Sequence, residues 1–397
     1  MLRSRPGDRA PCSTSSSLVR CPLQGRRAAV AVVLACAISA GLGVRGEASP
    51  ATVLAGTGGL VAKLTAYVAP PHEGGPGPAV PAPGTPGVNF GGDEALVWRS
   101  TYAQQLATFA QVKAAGAQWV RWTVPMDDQE PRPGWFNWYA AQELRAAVVS
   151  GLKVDALLTN SPSWAATADG SPSPAAFAAF AKAAVEEYWP LGVRTYEIWN
   201  EENDTQAWGK AFTPVEYTAL LKATYTAIKG VQAGATVVAG GFAPAPDTTD
   251  GTSYEPVTFL TEMYADGAQG SFDVIADHPY SFPDLPDQRD SWNPFTYLPT
   301  LHRVMVANGD GGKQIWLTEY GAPTSGTSGA VTSQFQAESI TEAFGWARNH
   351  PWVGPLFVFD WQPSPYDADG DYAINNSNGT PTLGGLAFSG AASAYPG

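Results

Sequence analysis

The stretch TYEIWNEEND, residues 195–204, begins as a strand and ends as a cluster of carboxylates and amides. Strand-forming residues such as Tyr196 and Ile198 fill its first half, and residues 200–204 are all polar. Like charges this close repel one another, so stability alone gives little reason for the cluster. Two interpretations are open: a solvated loop after a strand, or a catalytic acid at the carboxyl end of a strand.

Seven further runs of strand-forming residues occur along the chain, and longer segments with helical apolar spacing separate them. Several of the runs are almost continuously apolar, which is typical of parallel strands buried on both faces. The pattern therefore predicts repeated βα units. The eight predicted strands are centred near Val88, Val120, Val154, Ile198, Val238, Ile275, Leu317 and Val358.

The clearest predicted helix follows the fourth strand and covers residues 213–230. Thr213 and Glu216 have the spacing of a capping box, Pro214 occupies the first helical position, and Gly230 marks the end. Eight βα units within about 310 residues match a single (β/α)8 TIM barrel in the α/β class. An open doubly wound sheet is the alternative, but no glycine-rich phosphate fingerprint follows an early strand.

The N-terminal part of the chain has a different composition from the rest. Basic residues up to Arg27 precede a run of small and apolar residues over 28–44, so residues 1–48 are predicted to be a signal peptide, or else an uncleaved signal anchor. Residues 49–86 are rich in proline and glycine and are predicted to be a flexible linker that adds little to the core. The catalytic barrel is predicted to cover residues 87–397.

Charge and cysteine content exclude several classes of function. The 397-residue chain has a net charge of −13, and its first 48 residues carry +5, so the remainder carries −18. Such an acidic body is a poor candidate for binding nucleic acid or anionic membranes, and it suits a neutral substrate. The three cysteines, at positions 12, 21 and 36, all precede the predicted barrel. The barrel therefore has no disulfide framework, cysteine zinc site or catalytic thiol.

In a (β/α)8 barrel the active site lies at the carboxyl ends of the strands. Glu201 and Glu319 follow the apolar part of strands four and seven at equivalent depths, so we expect them to face each other across the barrel mouth. Paired carboxylates are suited to cleaving glycosidic bonds, because one can donate a proton while the other attacks the anomeric carbon. The other polar or aromatic residues expected near this edge are Arg121, Asn160, Asn200, His278, Tyr280, Tyr320, Asp360 and Trp361.

The motifs IWNE in strand four and LTEYG in strand seven resemble the catalytic strands of clan A glycoside hydrolases. Within the clan, SPSWA at residues 161–165 and WNEEN at residues 199–203 are most similar to the β-xylosidase-type family 39. The HPY motif at residues 278–280 also occurs in the cellulase-like family 5. The resemblance covers the whole barrel, from Val88 to about Ser389.

The resemblance implies a role for each matching residue. Glu201 would be the acid/base and Glu319 the nucleophile. The other implied contacts are Asn200 with the sugar 2-hydroxyl, Tyr280 with Glu319, Arg121 in support of the nucleophile, and Trp361 as the floor of the −1 subsite. The chain departs from its relatives at Glu202, where they often have proline, and this puts the contacts of the leaving-group subsites in doubt.

Several of these residues keep a second interpretation. His278 could be a core histidine, and Arg121 could simply pair with a barrel carboxylate. Trp164 and Trp208 are as suited to packing as to a sugar subsite. Tyr320 is predicted to bind substrate. Further acidic side chains are interpreted as loop residues: Glu202 and Asp204 in a solvated loop, and Asp367, Asp369 and Asp371 in an acidic loop over the mouth rather than in a calcium site.

The sequence therefore predicts a secreted retaining glycoside hydrolase that acts on a poly- or oligosaccharide. We expect it to need no cofactor or metal, and to act as a monomer with carbohydrate as its partner. Membrane contact is expected only through a possible N-terminal anchor. A non-catalytic carbohydrate-binding barrel and a transglycosylase with the same residues remain alternatives.

Overall fold

The computed structural model describes residues 79–91, 97, 100–208, 213–289, 292–327, 329–363 and 371–395. Eight parallel strands close into one barrel in the order β1 to β8, so the predicted TIM barrel is confirmed and the open sheet is excluded. Closure is made by β1 and β8, where Pro86 pairs with Leu356. The strands are β1 Pro86–Asn89, β2 Trp119–Pro125, β3 Lys153–Thr159, β4 Thr195–Ile198, β5 Thr236–Phe242, β6 Val274–Asp277, β7 Ile315–Tyr320 and β8 Val353–Val358.

Helices alternate with the strands and surround the barrel. The helix predicted after the fourth strand covers Pro214–Val231, and the backbone N–H of Thr213 donates to Glu216 Oε2 at 2.7 Å, as the capping box requires. Within the described residues, no helix has the length and apolar character needed to cross a bilayer. The α-helices are Tyr102–Ala114, Met126–Gln129, Ala140–Val149, Pro174–Tyr188, Thr205–Trp208, Pro214–Val231, Pro256–Ala265, Pro294–Ala307, Ser333–Arg348 and Leu383–Ala392.

The amino-terminal half of the barrel interior is filled by apolar side chains. The rings of Trp119 and Trp316 meet edge to face with their centroids 5.0 Å apart. Phe357 packs beside them, and Gly87 makes room for it, because a Cβ at position 87 would lie 2.5 Å from the Phe357 ring. This apolar layer consists of Trp119, Val238, Val274, Ala276, Trp316 and Phe357. Side chains two residues further along the same strands consequently form the next layer toward the mouth.

Residues 81–86 contact the barrel, although their composition predicted that they belong to the linker. Thr85 is 4% exposed, and Pro86 is already part of β1. The barrel therefore begins before the predicted boundary at residue 87, because a parallel barrel needs β1 to pair on both sides. The rest of the predicted linker before residue 79, and the predicted signal segment, lie outside the described residues. Five hydrogen bonds hold the segment: Gln314 Nε2 to Pro81 O, Tyr395 Oη to Pro83 O, Gly84 N to Gly354 O, Leu356 N to Thr85 O and Gln118 N to Pro86 O.

We predict that a protein that starts at residue 87 is less stable than one that starts at residue 79. Each lost hydrogen bond removes about 1 kcal/mol, so the five together should lower the melting temperature by roughly 5–10 °C. Differential scanning calorimetry of the two truncated proteins measures the difference. Tyr395→Phe in the longer protein is the control, since it removes one of the five bonds and should give a small part of the shift. Equal melting temperatures for the two truncated proteins would show that residues 79–86 do not stabilise the barrel.

Candidate active site

A polar layer lies directly above the apolar layer inside the barrel. Arg121 follows Trp119 by two residues in β2, and Thr318 follows Trp316 by two residues in β7, so both side chains turn inward. Glu197 enters the same layer from β4 and is fully buried. Because the barrel is closed, strands that are far apart in the sequence bring these side chains into contact.

Arg121 is the centre of the polar layer. Its Nε donates to Glu197 Oε2 at 2.7 Å, and its Nη2 donates to Glu197 Oε1 at 3.1 Å and to Asn200 Oδ1 at 2.7 Å. Its Nη1 donates to Glu319 Oε1 at 2.5 Å. Burial disfavours the guanidinium charge, but Glu197 and Glu319 outweigh that effect and raise the pKa of Arg121 above its ordinary value. Arg121 therefore remains a cation and links β2, β4 and β7.

An irregularity in β7 turns Glu319 toward the mouth. Leu317 pairs with Leu356 and Tyr320 pairs with Val358, so β7 has one residue more than β8 between these pairs. Extra residues of this kind change which way the following side chains point, and they are common beside active sites. Thr318 and Glu319 consequently both face inward, where one contacts Glu197 and the other contacts Arg121.

Tyr320 lies outside the mouth, so the prediction that it binds substrate is wrong. It is 1% exposed, its ring packs against Phe295, and its hydroxyl lies 3.3 Å from Ser281 Oγ and 3.4 Å from Ser339 O. The prediction placed the adjacent residues Glu319 and Tyr320 at the same edge, whereas the extra residue in β7 turns the Tyr320 side chain away from the mouth.

Glu319 is held as a carboxylate. In addition to Arg121, the Tyr280 hydroxyl donates to Glu319 Oε2 at 2.7 Å. Burial favours the neutral acid, but His278 and Arg121, together with the hydrogen bonds from Tyr280 and Arg121, lower the pKa of Glu319 below its ordinary value. Its side chain is 13% exposed, so this ionised group still reaches the open mouth.

Glu201 follows β4 in a strained backbone conformation. Its φ is 49°, that of Trp199 is 72° and that of Asn160, after β3, is 56°. Among the described residues these are the non-glycine positions with left-handed backbone, a feature that concentrates at functional sites. The backbone N–H of Glu201 donates to Gly241 O at 2.9 Å, which fixes the turn. The Glu201 side chain is 32% exposed and therefore more accessible than that of Glu319.

His278 joins Glu201 to the polar layer. Its Nδ1 lies 3.0 Å from Glu201 Oε1, and its Nε2 lies 3.1 Å from Thr318 Oγ1. Burial opposes protonation, but Glu319 and the hydrogen bond to Glu201 outweigh it, so the pKa of His278 is raised. Gly241 provides the space, because a Cβ there would lie 2.0 Å from His278 Nε2. His278 is thus a buried histidine that also contacts Glu201.

The two glutamates come close enough to act on one bond. Glu201, His278 and Glu319 each offer an atom, and these atoms lie within 4.8 Å of one another. Such a cluster can in principle hold a metal ion, but the Arg121 charge bound directly to Glu319 disfavours a cation there. The arrangement can supply a carboxylate, a second carboxyl that reaches solvent, and a buried imidazole between them.

The predicted aromatic platforms are mostly packed in the core. Trp361 is 5% exposed and belongs to the main core cluster, which favours packing, and its role as the floor of the −1 subsite stays a prediction. Trp208 is 4% exposed, and its ring lies 5.0 Å from that of Trp199, which favours the packing interpretation. Trp164 is half-buried, and its Nε1 donates to Glu130 O at 3.2 Å. The predicted binding residue Asn160 is exposed. Asn160 lines a cavity of about 360 Å³ together with Asp127, Ser161, Ala166, Gly170, Pro172, Trp199, Ala207 and Trp208.

Phe359, directly after β8, is a site residue that the sequence analysis missed. It is half-buried, and its ring centroid lies 6.4 Å from that of Tyr280 and 5.4 Å from that of Tyr372. The Phe359 ring therefore packs beside Tyr280, whose hydroxyl donates to Glu319. The available signal was its position as the first residue after β8, two residues before Trp361. Glu197 and Thr318 were also missed, since both lie inside strands rather than at their ends.

Glu202 lies in the core, so the solvated-loop interpretation is wrong for this residue. It is fully buried, and a Cβ at Gly240 would lie 1.7 Å from its Oε1. Burial, reinforced by the charges of Glu197 and Glu201, raises the pKa of Glu202 well above its ordinary value. Asp204 is half-buried and accepts from the Gln206 backbone N–H at 2.8 Å. Asp367 and Asp369 lie outside the described residues.

No family model matches the chain, and no curated protein matches it. Solved structures with the same fold do match. A family 39 glycoside hydrolase from the gut symbiont Bacteroides cellulosilyticus WH2 has a TM-score of 0.62 and 21% identity over 79% of this chain and 64% of its own. The exo-beta-1,4-mannosidase Op5Man5 from Opitutaceae bacterium strain TAV5 has a TM-score of 0.57 and 16% identity, over 79% and 59%. GH5_18 from Streptomyces cattleya, in complex with GlcNAc, has a TM-score of 0.62 and 15% identity, over 79% and 80%.

These structural neighbours include family 39 and GH5 glycoside hydrolases, which matches the resemblance that the sequence motifs indicated. At identities of 15–21% the similarity shows a common barrel fold. The chain spans 64% and 59% of the length of the first two of these proteins.

We predict that Tyr280→Phe destabilises the protein in a pH-dependent way. The change removes a hydrogen bond to a charged group and brings the pKa of Glu319 closer to its unfolded value. A carboxyl with a lowered folded pKa adds stability that is present above its unfolded pKa and is lost as the pH falls through the folded pKa. The variant should therefore be less stable by about 1–2 kcal/mol near neutral pH, and the difference should shrink below about pH 4. Urea unfolding at a series of pH values measures it.

Tyr320→Phe is the matched control for this experiment. It also removes a buried tyrosine hydroxyl, but that hydroxyl contacts Ser281 and Ser339 rather than a carboxylate. Its effect on the free energy of unfolding should stay constant over the same pH range. A pH-independent effect of Tyr280→Phe would contradict the contact between Tyr280 and an ionised Glu319.

Proposed function

We propose that this chain is a retaining glycoside hydrolase that cleaves O-glycosidic bonds by double displacement. One observation carries the proposal: Glu201 and Glu319 meet at the barrel mouth, with an oxygen of each within 4.8 Å of the other. In retaining enzymes the carboxyl groups are about 5–5.5 Å apart, whereas inverting enzymes need about 6.5–9.5 Å to admit a water. The short separation favours direct attack by one carboxylate on the sugar.

The surroundings of the two glutamates assign their roles. Glu319 accepts from Arg121 and Tyr280, which stabilise the ionised form that a nucleophile needs. Glu201 is more exposed than Glu319 and contacts His278, which suits a group that exchanges protons with a leaving group and with water. The difference follows from the environment of each group, because the side chains are chemically identical.

The reaction then has two steps. Glu319 forms a bond to the anomeric carbon while the bond to the leaving oxygen breaks and Glu201 gives that oxygen a proton. Glu201 next takes a proton from water, the water oxygen bonds to the anomeric carbon, and Glu319 is released as a carboxylate. Both steps invert the anomeric carbon, so the product retains the configuration of the substrate.

Asn200 is suited to bind a sugar hydroxyl. Its Oδ1 accepts from Arg121 Nη2 at 2.7 Å, so the side-chain NH₂ group points away from the guanidinium. The Asn200 NH₂ group can then donate a hydrogen bond toward the barrel mouth. The sugar hydroxyl next to the anomeric carbon would lie there. Phe359, which packs beside Tyr280, supplies an apolar surface for the opposite face of the sugar ring.

The strong negative charge of the chain supports a neutral saccharide substrate. We propose export through residues 1–48 and action as a monomer. Aryl β-xylosides are a first choice for a substrate screen because of the resemblance to β-xylosidase-type enzymes. Aryl β-mannosides are a second, because one structural neighbour is an exo-beta-1,4-mannosidase. Absence of turnover across a broad panel of glycosides would leave a carbohydrate-binding barrel as the better description.

We predict that the first-formed sugar product has the same anomeric configuration as the substrate. Double displacement by Glu319 and water requires this outcome. Proton NMR of the anomeric signals in the first minutes of hydrolysis measures it, before mutarotation mixes the anomers. A product of inverted configuration would contradict the mechanism while leaving the glycosidase activity itself intact.

We predict different kinetic effects for the two glutamates. Glu319→Ala should abolish turnover of every substrate, because no covalent intermediate forms. Glu201→Ala should lose about 10²–10⁴-fold on a substrate with a poor leaving group and much less in the first step with an activated aryl glycoside. Azide should restore turnover of Glu201→Ala and give a glycosyl azide of retained configuration, since azide needs no base.

Glu202→Gln is the control for these variants. This carboxyl is buried next to Gly240, and burial raises its pKa, which favours the uncharged form; the isosteric amide should therefore allow turnover without azide. Azide rescue of a position-319 variant instead of the position-201 variant would reverse the assigned roles.

A further inference from the structure

A continuous row of hydrogen bonds joins Glu201 to Arg121 through the barrel interior. Glu201 Oε1 lies 3.0 Å from His278 Nδ1, and His278 Nε2 lies 3.1 Å from Thr318 Oγ1. Thr318 Oγ1 donates to Glu197 Oε1 at 3.2 Å, and Glu197 accepts two hydrogen bonds from Arg121. Four of these groups are at most 2% exposed, so water does not exchange freely with them.

The direction of each hydrogen bond follows from the cationic end of the row. Arg121 can only donate, and its fork binds Glu197 as a carboxylate, which can only accept. The Thr318 hydroxyl therefore gives its hydrogen to Glu197 and offers a lone pair to His278. Nε2 of His278 must then carry a hydrogen, because two lone pairs would otherwise face each other at 3.1 Å.

Because Nε2 carries a hydrogen, the contact between His278 Nδ1 and Glu201 Oε1 depends on whether a proton lies between these two atoms. In the neutral ring the other nitrogen, Nδ1, has a lone pair, and it points at Glu201 Oε1 only 3.0 Å away. An ionised Glu201 beside this neutral ring would bring two acceptors together, which is unfavourable in a buried site. One proton between the two atoms removes the conflict.

We propose that Thr318 and Glu197 are positioning residues that fix the tautomer of His278, so that His278 and Glu201 together hold the one proton used in catalysis. The inference rests on the proposed glycosidase function for its catalytic part. Its structural part, the tautomer of His278, stands on the hydrogen bonds alone.

The proton balance of the two steps agrees with this arrangement. In the first step the proton of the Glu201–His278 pair moves to the leaving oxygen, and the pair is left with two facing acceptors. This state favours the return of a proton to the pair from water in the second step. The proton from that water restores the pair, and no net proton is gained or lost over one turnover.

Other charged groups also act on His278. Glu319 Oε2 lies 3.8 Å from His278 Nδ1, Arg121 donates to the other oxygen of Glu319, and Asp277 precedes His278 at the end of β6. Burial raises the pKa of Asp277 well above its ordinary value, although His278 and the hydrogen bond from Tyr297 oppose this. Burial also disfavours a charged His278, but Glu319 and the hydrogen bond to Glu201 raise its pKa, which helps the pair to keep its proton.

The first test is a nitrogen-15 NMR spectrum of the protein labelled at histidine. The chain has four histidines, so a His278→Asn spectrum is enough to assign the signals of His278. We expect a protonated Nε2 in the wild type and in Thr318→Ser, which keeps the hydroxyl. In Thr318→Val, which replaces the hydroxyl by a methyl group, we expect a substantial population with the proton on Nδ1 and none on Nε2. An Nδ1-protonated neutral ring in the wild type, or an unchanged tautomer in Thr318→Val, would overturn the proposal.

The second test compares leaving groups and pH. In Thr318→Val, kcat/KM should fall about 10-fold for an aryl glycoside with a poor leaving group and less than about 2-fold for an activated one, since only the former needs the proton. The alkaline limb of the pH profile should move to lower pH, because a ring with Nδ1–H stabilises ionised Glu201. Thr318→Ser should restore the wild-type ratio between the two substrates. Equal losses on both substrates with an unmoved alkaline limb would indicate a merely structural role and overturn the proposal.

The two tests separate this inference from the proposed function. If the wild type hydrolyses no glycoside, the glycosidase assignment fails, yet the NMR spectra still decide whether Thr318 fixes the tautomer. If hydrolysis is observed and the wild-type ring carries its proton on Nδ1 alone, the glycosidase assignment stands and the inference fails. Should Thr318→Val not fold, the wild-type spectrum alone still decides the tautomer.

Discussion

The buried charge of Arg121 is the constraint around which the site is built. A guanidinium at 2% exposure is stable only if carboxylates pair with it, and truncation of such a pair typically destabilises a protein by about 3–5 kcal/mol. Glu197 and Glu319 provide the charge, and Asn200 accepts a further hydrogen bond. Since these partners come from β4, from the turn after it and from β7, the ion pairs form only when the barrel closes. The requirement to neutralise Arg121 thus fixes the position of Glu319.

The number of charges in the interior is limited by the same constraint. Asp155, on β3, is fully buried beside Glu197 and Arg121. Burial and the Glu197 charge raise the pKa of Asp155 well above its ordinary value, although Arg121 opposes this. Burial likewise raises the pKa of Glu202. Glu197 and Glu319, by contrast, form ion pairs with Arg121, and Glu201 lies at the rim with its side chain 32% exposed.

Two glutamates with the same intrinsic chemistry consequently acquire different properties. Glu319 lies between a guanidinium and a phenol hydroxyl, both of which favour the carboxylate. Glu201 lies between solvent and an imidazole whose other nitrogen is engaged by Thr318. The glycines of β5 allow this arrangement, since side chains at positions 240 and 241 would collide with Glu202 and His278. The two glycines of β5 therefore provide the space that Glu202 and His278 occupy.

The sequence by itself determined the barrel and the identity of its central residues. Eight apolar strands alternating with amphipathic helices have few ways to bury both faces of a parallel sheet, and strand ends in such a barrel share one edge. This reasoning was enough to bring Glu201, Glu319 and Arg121 together. Tertiary structure alone decided which neighbouring side chains face the mouth. One extra residue in β7 turns Tyr320 outward, burial raises the pKa of Glu202, and Phe359 packs beside Tyr280 while Trp361 is buried in the core. These outcomes depend on strand register and on charges from distant parts of the chain, which local periodicity does not contain.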